Sequence, residues 1–180
     1  ERMLTSSPAP FLVLSDLHVG ERVDWDAMHG INRYDEVVFL ARMERLLDRV
    51  VAILFEALQG YTFPELRIYV LGDLINGQFG AMHDELVVTQ ATSLMESVYG
   101  CAYVLVQLIA HLRNYFERIH IVPVPWNHGR MTRKPWAKES EMNWDMVVPQ
   151  IASTFFTRDP AITFVHHNSF FFVDEVRGWK

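Results

Sequence analysis

The sequence predicts a layered α/β fold, and three observations lead to that prediction. Short apolar runs alternate along the chain with longer segments in which apolar residues recur at helical spacing. Three of these runs end in a short polar motif, as strands that lead into loops do. The 180 residues are 50% hydrophobic and 21% charged, which is the composition of a single globular domain. Alternating strands and helices favour helices packed on a sheet.

The first half of the chain predicts two strands and one helix. Residues 11–14 are a continuous apolar run, which suits a buried parallel strand. Apolar residues at helical spacing predict a helix over 37–58, with Asp35 as its N-cap and Gly60 as its stop. Residues 66–71 predict the second strand.

The second half predicts two helices and three strands. A long helix is expected from residue 85 to 116, with Gly100 as a kink or break. Residues 119–124 predict the third strand, and a helix over 141–156 with Pro149 as a kink follows it. The last two predicted strands are joined by a turn that indicates a hairpin, and they cover residues 161–165 and 170–173.

Charge and cysteine content exclude several classes of protein. The formal net charge of −6 argues against a molecule that binds polyanions over its whole surface. A single cysteine, Cys101, excludes an intrachain disulfide framework, and we interpret it as a core residue. The longest apolar stretch, residues 98–109, is too short to span a membrane. We therefore expect a cytoplasmic domain without a membrane partner.

The polar motifs contain a set of candidate metal ligands. Asp16 and His18 follow the first strand, Asp73 follows the second, and Asn127 and His128 follow the third. In α/β folds ligands bind beyond the carboxyl ends of the strands, so these residues are expected at one edge of the sheet. Mixed carboxylate, imidazole and amide ligands suit Mn, Fe or Zn better than Ca or Mg. A carboxylate from the central strand is suited to bridging two cations.

The order Asp-x-His, Gly-Asp, Asn-His resembles the calcineurin-like metallophosphoesterases, a group of two-metal enzymes that includes phosphatases, phosphodiesterases and DNA repair nucleases. The resemblance runs from Phe11 to about Arg130. It implies a layered β-sandwich flanked by helices, of which this chain would hold a part. It also implies hydrolysis of a phosphoester by water that the metals activate, with two divalent cations as cofactors, Mn favoured and Fe or Zn as alternatives.

The resemblance implies a role for each residue of the motifs. Asp16 and His18 would bind the first metal, Asp73 would bridge both metals, and Asn127 would bind the second. His128 would contact the scissile phosphate and act as the general acid toward the leaving oxygen.

The sequence departs from the pattern of the group at several positions. Trp126 stands where a glycine is usual, and Gly129 and Asn76 each replace an acid. The later histidine ligands, usually a Gly-His-x-His motif, are absent from the sequence, and we interpret His166 and His167 as strand-end residues. We therefore expect one domain over residues 1–180 that is truncated at its C-terminal end.

Loops beside the motifs supply candidate substrate contacts. Residues 118–138 contain five basic and no acidic side chains, and tryptophans lie among and beside them. A guanidinium close to the metals can hold a phosphate bidentately, and Arg130 is our candidate for a catalytic residue of that kind. Aromatic side chains beside basic ones can stack nucleic-acid bases. The candidate substrate-binding residues are His29, Asn32, His83, Arg133 and Lys134.

These features predict a divalent-metal phosphoesterase, and a phosphodiesterase or nuclease acting on DNA, RNA or a nucleotide is the leading interpretation. One alternative is a phosphomonoesterase or small-nucleotide hydrolase. Another is an inactive binding or assembly module that keeps the fold, which the change at Trp126 and the missing histidines favour. The oligomeric state stays open.

Overall fold

The computed structural model describes residues 8–77, 89–134 and 139–179. Its strands form a single parallel sheet in the order β1-β2-β3-β4, with helices in the connections. The α/β class predicted from the sequence is therefore confirmed. The elements are β1 (Phe11–Leu14), α1 (Glu36–Val51), β2 (Glu65–Val70), α2 (Leu94–Leu112), β3 (Arg118–Pro123), α3 (Trp144–Ser153) and β4 (Ile162–Phe164).

Each helix begins at a residue whose side chain satisfies an exposed backbone amide. Asp35 accepts a hydrogen bond from the Val38 amide at the start of α1, as the sequence predicted. Beyond Val51, α1 continues as a π-helical segment, Ala52–Ala57. Ser93 and Glu96 form a capping box at the start of α2. This cap explains why α2 begins at Leu94 rather than near residue 85, although residues 85–88 lie outside the described ranges.

The helix α2 supplies much of the core. It is continuous through Gly100, so the predicted break there is wrong; an added Cβ at Gly100 would meet nothing within 4 Å. The helix is long and apolar enough to cross a membrane. Nine of its residues are buried, and its apolar side joins the core cluster, as expected of a core helix. Burial of Cys101 in this face confirms the interpretation of a core thiol and raises its pKa.

The strands β1 and β2 are each buried on one face only. Along β1 and β2, every second residue is buried among the core side chains of the helices. Phe11 and Val13 point to the other face and are more than half exposed. On the same face Asp174 accepts hydrogen bonds from Arg67 (2.6 Å) and Tyr69 (2.7 Å), which ties the C-terminal segment to β2. The prediction of a strand over residues 11–14 is confirmed, but burial on both faces is not found.

The predicted C-terminal hairpin is wrong. β4 pairs with β3 in parallel, and residues 170–173 form no strand. The chain after β4 is held by His167 instead, whose Nε2 lies 2.7 Å from the Pro123 carbonyl oxygen and whose ring stacks on Phe172. The described residues accordingly form one sheet layer with helices on it, and a second sheet is absent from this part of the chain. The helix α3 runs through Pro149 without interruption.

Candidate metal centre

The segments that follow β1 and β2 adopt an unusual backbone conformation. Asp16, His18 and Asp73 have φ angles of 54°, 45° and 51°, in the left-handed region that non-glycine residues rarely occupy. Such conformations cost free energy, and they cluster at binding and catalytic sites where the surrounding structure enforces them. Three of the five residues predicted as site residues from the motifs therefore share this rare backbone conformation.

Backbone hydrogen bonds hold these two segments side by side. The His18 amide donates to the Asp73 carbonyl over 3.0 Å, and the Val19 amide donates to the Leu74 carbonyl over 2.9 Å. The Asn76 amide in turn donates to the Val19 carbonyl over 3.0 Å. The parallel pairing of β1 with β2 thus continues past the ends of the strands, and it fixes the spacing of the two polar motifs.

Three side chains from the three motifs meet at this edge of the sheet. His18, Asp73 and His128 each offer a ligand atom, and these atoms all lie within 4.8 Å of one another. The two imidazole rings approach edge to face with 4.4 Å between their centroids. Asp73 is buried, whereas both histidines are half-buried. We call these three residues the triad; the sequence prediction that the motifs converge is borne out for these three side chains.

Hydrogen bonds orient His128 within the triad. Its backbone amide donates to Asp73 Oδ1 over 2.8 Å. Its ring Nδ1 lies 2.7 Å from the Asn76 carbonyl oxygen. A carbonyl can only accept, so Nδ1 carries the proton and the lone pair of the neutral ring is on Nε2. A metal-binding histidine is commonly held by this kind of bond from its other nitrogen.

The donor atoms of the triad fit a divalent cation. The Nδ1 atom of His18 is buried and has no hydrogen-bond partner among the described residues. Burial raises the pKa of Asp73, while the hydrogen bond from the His128 amide and the nearby histidines act in the opposite direction. A cation bound at Nδ1 would satisfy this nitrogen, and a cation at the triad would favour the ionised carboxylate. Two imidazoles and one carboxylate are a ligand set that Zn, Mn and Fe accept.

Asp16 and Asn127 lie beside the triad. The Asp16 carboxylate is 3.9 Å from His18 Nε2, is 69% exposed and contacts the Ser15 hydroxyl. Asn127 is half-buried in the turn before His128, where its carbonyl accepts from the Arg130 amide. The candidate ligand group at this site consists of the three triad residues. The metal roles predicted for Asp16 and Asn127 stay predictions.

The candidate substrate residues lie at different places on the surface. His29 and Asn32 are exposed in the loop between β1 and α1, and no hydrogen bond or ring contact within the described ranges joins them to the triad. His83 lies outside the described residues. Arg130 is half-buried two positions after His128, and Arg133 and Lys134 are exposed further along that loop.

The basic segment is not a single patch beside the triad. Arg118 is the first residue of β3 and lies at the opposite end of the strand, where it pairs with Glu65 over 3.4 Å. The six-residue strand separates its two ends by about 16 Å. Only the part of the segment after β3 is therefore placed near the triad, and within the described ranges it carries Arg130, Arg133 and Lys134.

Two buried residues that were not predicted from the sequence hydrogen-bond to the backbone at and near the triad. Asp145, in the first turn of α3, is fully buried and accepts hydrogen bonds from the amides of Asp73 and Trp126. Asn143, also fully buried, donates to the Trp126 carbonyl over 2.9 Å. Burial raises the pKa of Asp145 to about 6, against the effect of its backbone hydrogen bonds. In the sequence the two residues appear as an asparagine followed two positions later by an acid. An ordinary helix begins with the same pattern, so it does not mark them as functional.

Comparisons with known proteins identify no family for this chain. No protein-family model matches the sequence, and no curated protein matches it. A solved structure, the phosphopantetheinyl hydrolase (PptH) from Mycobacterium tuberculosis, aligns with 89% of this chain at 15% sequence identity and a TM-score of 0.30. The chain covers 36% of the length of that protein. The function of this chain is therefore inferred from the residues of its candidate site.

The left-handed conformation at Asp16 leads to a prediction that compares two variants. We expect Asp16→Gly to be more stable than Asp16→Ala by about 0.5–1 kcal/mol, because glycine occupies a positive φ without a Cβ clash and alanine does not. The two variants lack the same carboxylate, so their affinities for Mn²⁺ should agree. Urea denaturation of the metal-free proteins measures the difference, and equal stabilities would contradict the backbone conformation.

Proposed function

We propose that this protein is a divalent-metal phosphoesterase whose centre contains His18, Asp73 and His128. The single observation that carries the proposal is the convergence of their ligand atoms within 4.8 Å, on segments that follow three neighbouring parallel strands. Divalent cations bound there would activate water for attack and offset the negative charge of a phosphoryl group. The order of the motifs, which resembles the calcineurin-like metallophosphoesterases, supports a phosphoester as the substrate.

Within this function, Asp73 and His18 are the ligands and His128 acts on the substrate. Asp73 supplies the only carboxylate of the triad and is placed by β2, a central strand. Protonated at Nε2, the His128 ring would donate a proton to the leaving oxygen while the Asn76 carbonyl holds its Nδ1. Asp16 and Asn127, adjacent to the triad, are proposed as further ligands, with two cations in total.

The substrate we propose is a phosphodiester of a nucleic acid or nucleotide. Trp126 is 58% exposed and lies two residues before His128, where its ring can stack a base. Arg130, Arg133 and Lys134 follow on the same loop and would contact phosphates. His29, Asn32 and His83 remain candidates for further contacts. We also propose that the protein acts in the cytoplasm.

Hydrolysis assays test this proposal directly. With Mn²⁺ present, the protein is expected to hydrolyse bis-p-nitrophenyl phosphate and single-stranded DNA, and to lose this activity with EDTA. Turnover of p-nitrophenyl phosphate and mononucleotides alone would favour the phosphomonoesterase alternative. Absence of metal-dependent turnover on all substrates would contradict the proposal and favour an inactive module. A His128→Asn variant that keeps its metal but not its turnover would support the role in proton donation.

A further inference from the structure

One buried carboxylate connects the two segments that carry Asp73 and His128. Asp145 Oδ2 accepts from the Asp73 amide over 3.1 Å and from the Trp126 amide over 3.0 Å. Asp145 Oδ1 accepts from the Leu74 amide over 3.0 Å. The Asp73 and Leu74 amides belong to the segment after β2, and the Trp126 amide belongs to the segment after β3. One side chain from α3 thus holds both segments at a fixed separation.

The chemistry of this contact is specific to a carboxylate. Asp145 is fully buried, and no basic side chain within the described ranges forms a salt bridge with it. A buried carboxylate without a cationic partner is costly unless hydrogen bonds satisfy it, and here three backbone amides do so. An asparagine would present one acceptor oxygen and place an NH₂ group against amide hydrogens.

The neighbouring residues are shaped around this carboxylate. Asn143 accepts from the Asp145 amide over 2.9 Å and donates to the Trp126 carbonyl over 2.9 Å. A Cβ added at Gly129 would lie 2.5 Å from Asp145 Oδ2, and one added at Gly72 would lie 3.1 Å from the same atom. Both glycines flank triad residues. The approach of the carboxylate requires the absence of a side chain at Gly129, whereas a Cβ at Gly72 would clash first with Trp126 Cβ.

We propose that Asp145 is a positioning residue of the metal centre, which sets the separation of Asp73 from His128 through the backbone amides of Asp73, Leu74 and Trp126. This inference rests on the proposed metal site and extends it to a residue on α3. Asp145 touches the backbone of one triad member directly and that of Trp126, two residues before another. Its loss therefore changes the geometry of the ligands as well as the stability of the fold.

Metal affinity and a spectrum test this role apart from activity. Asp145→Asn is compared with the wild type and with Asp159→Asn, a matched change at a surface residue that pairs with Arg113. We expect Asp145→Asn to bind Mn²⁺ about 10–100-fold more weakly in calorimetric titration, as loss of groups that orient metal ligands does. We also expect altered visible absorption bands for its Co²⁺ complex, whereas Asp159→Asn should match the wild type in both measurements.

A purely structural role would lower the unfolding midpoint of Asp145→Asn and leave its metal affinity and Co²⁺ spectrum unchanged, which would overturn the proposal. If that variant does not fold, Asn143→Ser replaces it, because serine retains the helix cap and removes the bond to the Trp126 carbonyl. Several-fold weaker Mn²⁺ binding by Asn143→Ser supports the proposal, and wild-type affinity overturns it. A wild-type protein that binds no metal would instead refute the proposed function itself.

Discussion

Replacement of Asp73 by asparagine is expected to lower the affinity for Mn²⁺ at least about 100-fold, since changes to groups that only orient ligands already cost about 10–100-fold. Asp73 supplies the only carboxylate of the triad, so the variant loses the negative charge that faces the cation. Asparagine keeps the size of the side chain and an oxygen that can accept from the His128 amide. The loss of affinity should therefore occur in a folded protein, and isothermal titration calorimetry measures it.

In the metal-free protein, the same substitution is expected to preserve or raise the stability of the fold. Burial raises the pKa of Asp73, so the ionised carboxylate is disfavoured in the folded state. For an acid whose pKa is raised by folding, stability is highest in acid and is lost as the pH rises through the folded pKa. Asp73→Asn removes this pH-dependent loss of stability. We expect the metal-free variant to be at least as stable as the metal-free wild type at neutral pH, and the difference to shrink in acid.

Two control variants distinguish the loss of a metal ligand from the general effect of removing a carboxylate. Asp159→Asn makes the same chemical change at a surface ion pair with Arg113 and should leave Mn²⁺ affinity unchanged. Asp16→Asn should cost less than Asp73→Asn, because Asp16 is exposed and lies outside the triad. Wild-type affinity of Asp73→Asn would show that the triad is not the metal site.

The sequence allowed the four strands of the sheet to be predicted, together with the convergence of the polar motifs that follow the first three, because both depend on local patterns. An apolar run followed by a polar motif is readable residue by residue, and parallel strands bring such ends to one edge. The placement of Asp73 next to His18 and His128 follows from that rule. The left-handed backbone at Asp16 and His18 was not predictable, since neighbouring segments impose it.

Features that depend on distant contacts were missed for physical reasons. The apolar run at 170–173 has the composition of a strand, but the side-chain contacts of His167 and Asp174 fix its path instead. Asp145 has the sequence context of an ordinary acid in the first turn of a helix. Its role emerges only when residues more than 70 positions away in sequence, Asp73 and Leu74, donate their amides to it.

Metal binding is expected to stabilise the folded protein substantially. A ligand that binds only the folded state stabilises it by about 2.7 kcal/mol when its concentration is 100 times the dissociation constant. For a chain of this length that corresponds to a rise in the unfolding midpoint of about 5–10 °C. The structural basis is the buried Nδ1 of His18, which has no hydrogen-bond partner among the described residues, together with the strained backbone at His18 and Asp73. The metal-free protein must maintain both without compensation.

Thermal unfolding of EDTA-treated protein, with and without Mn²⁺, measures this rise. His18→Ala should abolish most of it, because the variant lacks one of the two imidazoles of the triad. His111→Ala, which makes the same change on the exposed side of α2, should keep the full rise. Ca²⁺ should stabilise the wild type less than Mn²⁺, because Ca²⁺ prefers oxygen ligands and His18 supplies a nitrogen. An equal rise with Ca²⁺, or its persistence in His18→Ala, would place the bound cation away from the triad.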